Sequence, residues 1–520
     1  MKLSRIALAA AAVLSGASLA SCSQSQPIGV CDGVPGACLD LYVSYPAGTA
    51  TGYDLEVTAV YDGKSSKRIT SKPGNVSLPN HFRVVPPPGV SSANVTAISI
   101  RASTRGELLA AAKVLDPFLS GTEHRTLSVE LQKHGGQIFE SEPHDYIACI
   151  GPNTPTGPRS TRIADLDSDG HNDIIVTCYN DTNIAILYGT PRGPFTRIQP
   201  NLVRIGKYAY FSAIMDVDQN GTLDIVTPSY ETSVSGTNGL SVLTSAPGRG
   251  WVIPKLIASS EVRLLDAVAA DFNGDGMLEL IINTNEVAVV PPPPSASKLL
   301  IFPNNFLADA GKTFSKINLQ TVSGSTVSGA YSLATGFLDD DSNADVVISG
   351  NSTGNIAVVW GDSLQRSPVV QTYSAGIEPM SVLVADIDND KRNDIIVSHC
   401  NSPSIMLYKN MGNRIFSEPK RIDTGRRSCS AIADDFDRDG KVDLAVWNNG
   451  DFTISILRGT GTGEFQPVQT IINGYIAYYG HMSSGDLNND GMPDIVLSGS
   501  ASNDLNAVGA TVSVHYNQVP

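Results

Sequence analysis

The chain has 520 residues, of which 51 are acidic and 36 basic, for a formal net charge of −15 at pH 7 with histidine neutral. That balance, with no basic cluster, excludes a nucleic-acid binder that works by phosphate neutralisation, and it excludes a polybasic membrane-surface segment. The acids concentrate in a few short loops, so much of the imbalance is local and bound cations would offset it.

In chain order, Lys2 and Arg5 precede the apolar run Ile6 to Leu14, and Leu19-Ala20-Ser21-Cys22 ends it. A charged start, a short apolar centre and a small-residue cleavage region read as an export signal, too short to span a bilayer. Leu-Ala-Ser-Cys resembles the bacterial lipobox, which implies lipidation of Cys22 and cleavage before it; an ordinary secretory signal is the alternative. Ser23 follows the cysteine, and similarity to Gram-negative lipoproteins then favours the outer membrane, facing either the periplasm or the surface. Residues 1–22 are thus expected to be a lipoprotein signal peptide and 23–37 a tether. The membrane partner is the lipid itself, each buried methylene contributing about 0.8 kcal/mol.

Residues 38–134 carry strand-like runs at Leu39 to Tyr45, Tyr53 to Tyr61, His81 to Val85, Val95 to Ala102, Leu108 to Val114 and Leu127 to Leu131. The third stops at Pro86-Pro87-Pro88, because proline cannot donate to a ladder. Short strands at this spacing predict a small β-sandwich of immunoglobulin- or fibronectin-like type, acting as a spacer.

From Asp165 onward a nine-residue acid loop of the form DxDxDGxxD, followed by an aliphatic run, recurs seven times at intervals of 49 to 66 residues. A supersecondary unit repeated near 50 residues signals a solenoid, propeller or array. Counting loop positions 1, 3, 5, 7 and 9, the first copy offers Asp165, Asp167, Asp169, His171 and Asp173, and the second Asp216, Asp218, Asn220, Thr222 and Asp224. The third offers Asp271, Asn273, Asp275, Met277 and Glu279, and the fifth Asp386, Asp388, Asp390, Arg392 and Asp394. The sixth has Asp435, Asp437, Asp439, Lys441 and Asp443, and the seventh Asp486, Asn488, Asp490, Met492 and Asp494. Calcium takes six to eight oxygens, and side chains at 1, 3 and 5, a backbone carbonyl at 7 and the closing acid at 9 can surround it. Glycine at position 6 permits the sharp reversal. The loop is similar to the first half of an EF-hand, but a β-type run follows, so the ion would pin a hairpin. The plainer alternative is that Asp, Asn and Gly simply populate turns.

Two copies depart from the rule. The fourth, aligned on Val346-Val347-Ile348, has Phe337 at position 1 and Ser342 at position 6, keeping only Asp339, Asp341 and Asp345. It is expected to hold no ion. In the fifth, Lys391 replaces glycine, which strains the turn and weakens binding, so calcium is expected at up to six sites.

These loops resemble the FG-GAP/VCBS repeats of integrin α heads and of many secreted bacterial proteins, over Gly136 to the C-terminus. The resemblance implies an all-β fold, a seven-bladed β-propeller over 136–520 preceded by the small β-sandwich, with a metal in the first hairpin of each blade. Runs of strand type support four strands per unit. Third strands are expected at Ile184 to Tyr188, Leu240 to Leu243, Leu299 to Phe302, Ile356 to Trp360, Ile405 to Tyr408, Ile454 to Leu457 and Val512 to Tyr516. Fourth strands are expected to start near Phe195, Trp251, Phe314, Val369, Phe416 and Phe465. The seventh unit ends at Pro520 without one. Gln137-Ile138-Phe139-Glu140-Ser141-Glu142-Pro143 matches Arg414-Ile415-Phe416-Ser417-Glu418-Pro419, so 137–143 is expected to supply the closing strand and remove the unpaired edges.

Export lets disulfides persist. Apart from Cys22 the cysteines are Cys31, Cys38, Cys149, Cys178, Cys400 and Cys429. A bridge between Cys400 and Cys429 would join neighbouring blades, Cys149 and Cys178 stand in a comparable relation, and Cys31 with Cys38 could close a small loop; other pairings remain open.

The rim opposite the acid loops is where recognition is expected. Tyr179, Tyr208, Tyr210, Tyr230, Arg426, Tyr478, Tyr479 and His481 fall there, and Tyr and Arg suit binding hot spots. Tyr331, Arg427 and His399 fall on the same rim, where tyrosine is equally an ordinary packing residue and histidine usually solvated or packed. Gly361-Asp362-Ser363-Leu364 spells a lipase nucleophile block but follows a third strand, where other units turn, and lacks the strand-to-helix context. No catalytic residue is assigned. The expected function is a monomeric, calcium-binding, lipid-anchored binding or cell-adhesion module for a protein or glycan at the cell envelope. A lyase-like carbohydrate enzyme using the central pit, and a purely structural envelope protein, are the alternatives.

Overall fold

The structure is a computed structural model. It describes strand segments between 38 and 133 and, from 138 to 519, all but 141–142, 150–156, 180–182, 191–194, 196–200, 206–208, 230–238, 247–248, 253–254, 259–262, 286–296, 305, 307–314, 320–325, 362–368, 473–479 and 500–509. Every described element is a strand, bridge or turn, so the fold is all-β.

All six strands expected in the N-terminal stretch are present, together with Lys64–Thr70, whose polar sequence hid it. They form two sheets. One holds Asn80–Val84, Cys38–Ser44 and His124–Glu130, with the last two parallel; the other is built on Thr51–Tyr61, Val95–Thr104 and Glu107–Leu115. Cys38, Leu39 and Leu41 are buried.

The remainder is seven four-stranded antiparallel sheets. Blade 1 is Pro158–Ala164, Asp173–Cys178, Asn183–Leu187 and Asn201–Arg204. Blades 2 to 6 repeat that order, each acid loop joining the first strand to the second. The second strands of blades 1 to 6, Asp173–Cys178 through Asp443–Asn448, are buried along their whole length. A strand pressed between two neighbouring blades has no solvent side, which is why these runs are continuously apolar instead of alternating. Successive residues therefore serve different interfaces: Ile174 and Val176 face blade 7, while Ile175 faces blade 2.

Seven hydrophobic clusters lie one between each pair of adjacent blades, including one between blades 7 and 1. The seventh pairing closes the array into a ring. The first strands of neighbouring blades run side by side, so they line the centre.

Closure differs from expectation in one respect. The N-terminal side does supply the outer strand of blade 7, but the strand is His144–Cys149, paired antiparallel to Ala510–His515, and not 137–143. The sequence match between the two segments is nevertheless reproduced in space. Phe139 bridges Asn517 as Phe416 bridges Asn410, and each asparagine N–H donates to the closing acid of its own blade at 2.8 Å. The matched segment is thus the turn that plugs an aromatic ring between blades just ahead of the outer strand. Phe139 is fully buried, edge-on to Phe436 at 5.2 Å. The same correction applies to blades 1, 2 and 5. Their outer strands are Asn201–Arg204, Lys255–Ala258 and Lys420–Asp423, a few residues beyond Phe195, Trp251 and Phe416.

Two disulfides join neighbouring blades. Cys400–Cys429 ties the end of the second strand of blade 5 to the first strand of blade 6, and Cys149–Cys178 ties the outer strand of blade 7 to blade 1. Cys38 is also disulfide-bonded, while Cys22 and Cys31 lie outside the described residues, as do the signal segment and tether.

Candidate metal centres and recognition rim

Each acid loop turns on hydrogen bonds from its own backbone to its own carboxylates. In blade 1 the N–H groups of Asp169 and Gly170 donate to Asp165 at 3.1 and 2.9 Å, and that of His171 donates to Asp169 at 3.0 Å. Asp216, Asp271, Asp386, Asp435 and Asp486 take the same two N–H groups in their loops. Position 6 has φ between 81° and 88° in the five glycine loops, and Lys391 holds φ 71° in the fifth blade, a conformation that strains any residue with a Cβ. Position 4 is left-handed too, at Ser168, Gln219, Gly274, Asn389, Arg438 and Asn489. Sequence reading missed this second reversal because the residue types there are mixed.

The closing acids, from Asp173 to Asp494, are all buried. One oxygen of Asp173 accepts Leu166 N–H at 2.9 Å and the other Gly189 N–H at 2.7 Å, tying the loop to the end of the third strand. Burial dominates the electrostatics and pushes Asp173, Glu279 and Asp345 up to about 7, Asp394 to about 6 and Asp443 to about 8, with the neighbouring loop carboxylates adding to the shift in each.

Carboxylate oxygens of Asp165, Asp167 and Asp173 come within 4.8 Å of one another, as do those of Asp216, Asp218 and Asp224, of Asp386, Asp388 and Asp394, and of Asp435, Asp437 and Asp443. These clusters could hold metal ions, and hard oxygen donors around a buried anion suit calcium or magnesium better than a thiophilic metal. In the third and seventh loops Asn273 and Asn488 take position 3, so fewer carboxylates converge.

The fourth loop lacks both the first carboxylate and the left-handed residues. Asp345 persists there because its oxygens still accept Leu338 N–H at 2.8 Å and Gly361 N–H at 2.9 Å. Asp345→Ala leaves two buried donors without partners and is expected to destabilise by about 2 kcal/mol, equally with and without chelator, in denaturant titrations.

The loops are also joints between blades. Asn172 of blade 1 donates to Asp486 O of blade 7 at 2.9 Å, Ala344 N–H of blade 4 to Asp271 O of blade 3 at 2.8 Å, and Asn517 to Phe436 O at 2.8 Å.

At the opposite rim, the structure brings Tyr179 and Tyr210 together, ring centroids 4.8 Å apart. Between them and Tyr331 lies Arg159, 4.3 Å from the Tyr210 ring centre and donating to Tyr331 Oη at 2.6 Å. The sequence carried one signal for Arg159: a cation at the second residue of an inner strand. Below this cluster Arg162 pairs with buried Asp266 at 3.5 Å, joining blades 1 and 3 across the centre. Burial pushes the Asp266 carboxyl up to about 6, while Arg162 and the N–H groups of Leu333 and Ala267 hold it back.

His481 lines a small cavity of about 20 Å³ with Phe211, Tyr331, Ser332, Ser381, Ser430 and the Cys400–Cys429 bridge, room for about one water. Burial, aided by Arg162, holds its imidazole well below the usual histidine range. His399 ends the second strand of blade 5 at the end away from the acid loop and is packed there, buried against Ala375 O. Arg426 pairs with Asp451 instead of the aromatic cluster. Tyr208, Tyr230, Tyr478, Tyr479 and Asp362-Ser363-Leu364 lie outside the described residues.

A model of the FG-GAP-like repeat matches residues 165–227, 338–397, 386–446 and 435–497. No curated protein matches the chain. Among solved structures it is similar to an Agrocybe aegerita lectin described as recognising non-reducing terminal N-acetylglucosamine, at 16% identity and TM-score 0.43 over 71% of this chain and 87% of that one. It is likewise similar to BBS1N, solved in complex with ARL6DN, at 11% identity and TM-score 0.45 over 72% of this chain and 97% of that one. The chain carries FG-GAP-like repeats, and it folds as a seven-bladed all-β propeller.

Proposed function

We propose that this protein is an extracytoplasmic, lipid-anchored binding module whose ring is stabilised by calcium and whose rim opposite the metal loops recognises a protein or glycan at the cell envelope. The observation that carries the recognition half is the Arg159, Tyr179, Tyr210 and Tyr331 cluster, in which rings and guanidinium order one another before any ligand arrives. Such preorganisation lowers the entropy cost of binding, and Tyr and Arg supply large contact area with polar tips. The apolar lipobox-like segment and two inter-blade disulfides support an oxidising, exported setting. The pit neck, filled by Phe211, His481 and the serines with room for about one water, favours recognition at the mouth over chemistry inside.

The test is a glycan array and an envelope-protein binding screen with wild type, Tyr210→Ala and Arg159→Ala. Loss of a hot-spot side chain is expected to weaken binding at least about 10-fold. A ligand held equally by both variants removes the rim from the reading, and no ligand at all leaves the purely structural alternative.

A further inference from the structure

Two acid loops have a guanidinium from the following blade lodged in them. In blade 4, Arg414 Nε donates to Asp339 Oδ2 at 2.6 Å and its Nη2 lies 3.5 Å from Asp341 Oδ2, with Asp339 only 9% exposed. The guanidinium also lies 4.9 Å over the Trp360 ring. In blade 1, Arg249 bonds to Asp167 and Asp169 and lies 4.5 Å over Tyr188. The parallel runs through the backbone. Both arginines are left-handed, φ 61° and 63°, and both precede by two residues an aromatic, Phe416 or Trp251, in the hairpin between the third and outer strands. That hairpin places one side chain of each of these blades over the acid loop of the blade before it.

We propose that Arg414 is the cation of the fourth loop, a tethered charge standing where complete loops take an exchangeable ion, and that Arg249 competes with the ion in the first. Phe337 removes the position 1 carboxylate, and Asp339, which accepts Asp341 N–H at 3.0 Å, and Asp341 are left with no full oxygen set for a divalent ion. A guanidinium needs no such set. Its planar fork satisfies two carboxylates, its charge does not titrate, and it stacks on an aromatic face. In blade 1 the acid set is complete, so the same contact holds two ligand carboxylates that the ion would need. The blade 4 assignment stands without any metal; only the blade 1 part rests on the calcium reading.

The test uses the full chain. Melting in chelator and in calcium is compared for wild type, Arg414→Ala, Asp339→Asn and the double variant, with Arg414→Lys as the milder change. Each single variant is expected to lose about 2 °C in both buffers, and the double variant no more than the larger single loss. Arg414→Ala that melts like wild type in chelator, or losses that simply add, would overturn the assignment. If Arg414→Ala does not fold, Asp339→Asn carries the test, and a melting point equal to wild type in chelator is then the overturning result. For the first loop, calcium titration of Arg249→Ala is expected to show half-saturation at a several-fold lower concentration; unchanged or weaker binding sinks that part. Wild type that binds no calcium at all would end the calcium reading and the Arg249 part with it, while the Arg414 result in chelator still stands or falls by itself.

Discussion

Chelation of divalent cations is expected to lower the melting temperature by more than about 10 °C. A ligand bound only by the folded state stabilises it by about 2.7 kcal/mol per site when its concentration is 100 times the dissociation constant. Four loops bring three aspartates each within reach of one ion, and two more have a mixed set, so the contributions accumulate well beyond the cost of any single substitution. The effect is global because the loops carry the contacts between blades, Asn172 to Asp486 O and Ala344 to Asp271 O among them. Scanning calorimetry in calcium and in chelator measures it, and an unchanged melting point rejects structural calcium.

The same experiment has a pH signature of definite sign. Burial raises the closing carboxyls, those of Asp173, Glu279, Asp345, Asp394 and Asp443 to about 6 to 8, so the folded chain binds their protons more tightly than the unfolded one. Their contribution to stability is complete below the unfolded value near 4 and is lost as pH rises through 6 to 8. In chelator the protein should therefore melt higher at pH 5.5 than at pH 8. Bound calcium would hold the same groups as anions, so the gap between the two buffers is expected to widen with rising pH. A gap that narrows instead contradicts ion binding at these carboxylates.

Removing the Cys149–Cys178 bridge is expected to cost roughly 3–4 kcal/mol by the loop-closure model. Its cysteines are 29 residues apart, as are Cys400 and Cys429, so both bridges restrict the unfolded chain to the same degree. Any difference between the two double Cys→Ala variants then reports the folded state. Cys149 ends the strand that completes blade 7, and Cys178 ends the second strand of blade 1, so this bridge fastens the one place where the ring is closed by distant parts of the chain. Greater susceptibility to proteolysis in the Cys149/Cys178 variant than in the Cys400/Cys429 variant is the expected outcome of limited digestion. Equal susceptibility would mean that the Tyr146, Val512 and Val514 packing suffices for closure.

Much of the architecture was legible before any coordinate. The recurrence of the acid loop marks blades, the aliphatic run after it marks the buried second strand, and Phe337 and Lys391 mark the defective copies. What escaped has physical reasons. The outer strands begin later than the sequence suggests because the visible signal is an aromatic plug, Phe139 or Phe416, while the strands themselves are short and can be mostly charged, as in Lys420–Asp423. Lys64–Thr70 escaped for the same lack of apolar alternation. His399 stands at the strand end that its position in the sequence indicates, and its burial against Ala375 depends on a neighbouring segment that spacing does not reveal.

By itself the sequence determined the repeat, the number of its copies and the residues of each acid loop, because each follows from local spacing and the chemistry of one short segment, while the pairing of the cysteines stayed open until the blades were placed side by side. Only the tertiary structure decided that Arg414 and Arg249 reach into loops of the preceding blades, that Arg159 gathers three tyrosines, and that Arg162 meets Asp266 across the centre. Those partners are separated by tens to hundreds of residues, and a charged side chain on an inner strand carries no mark of the neighbour that the closing of the ring will bring to it.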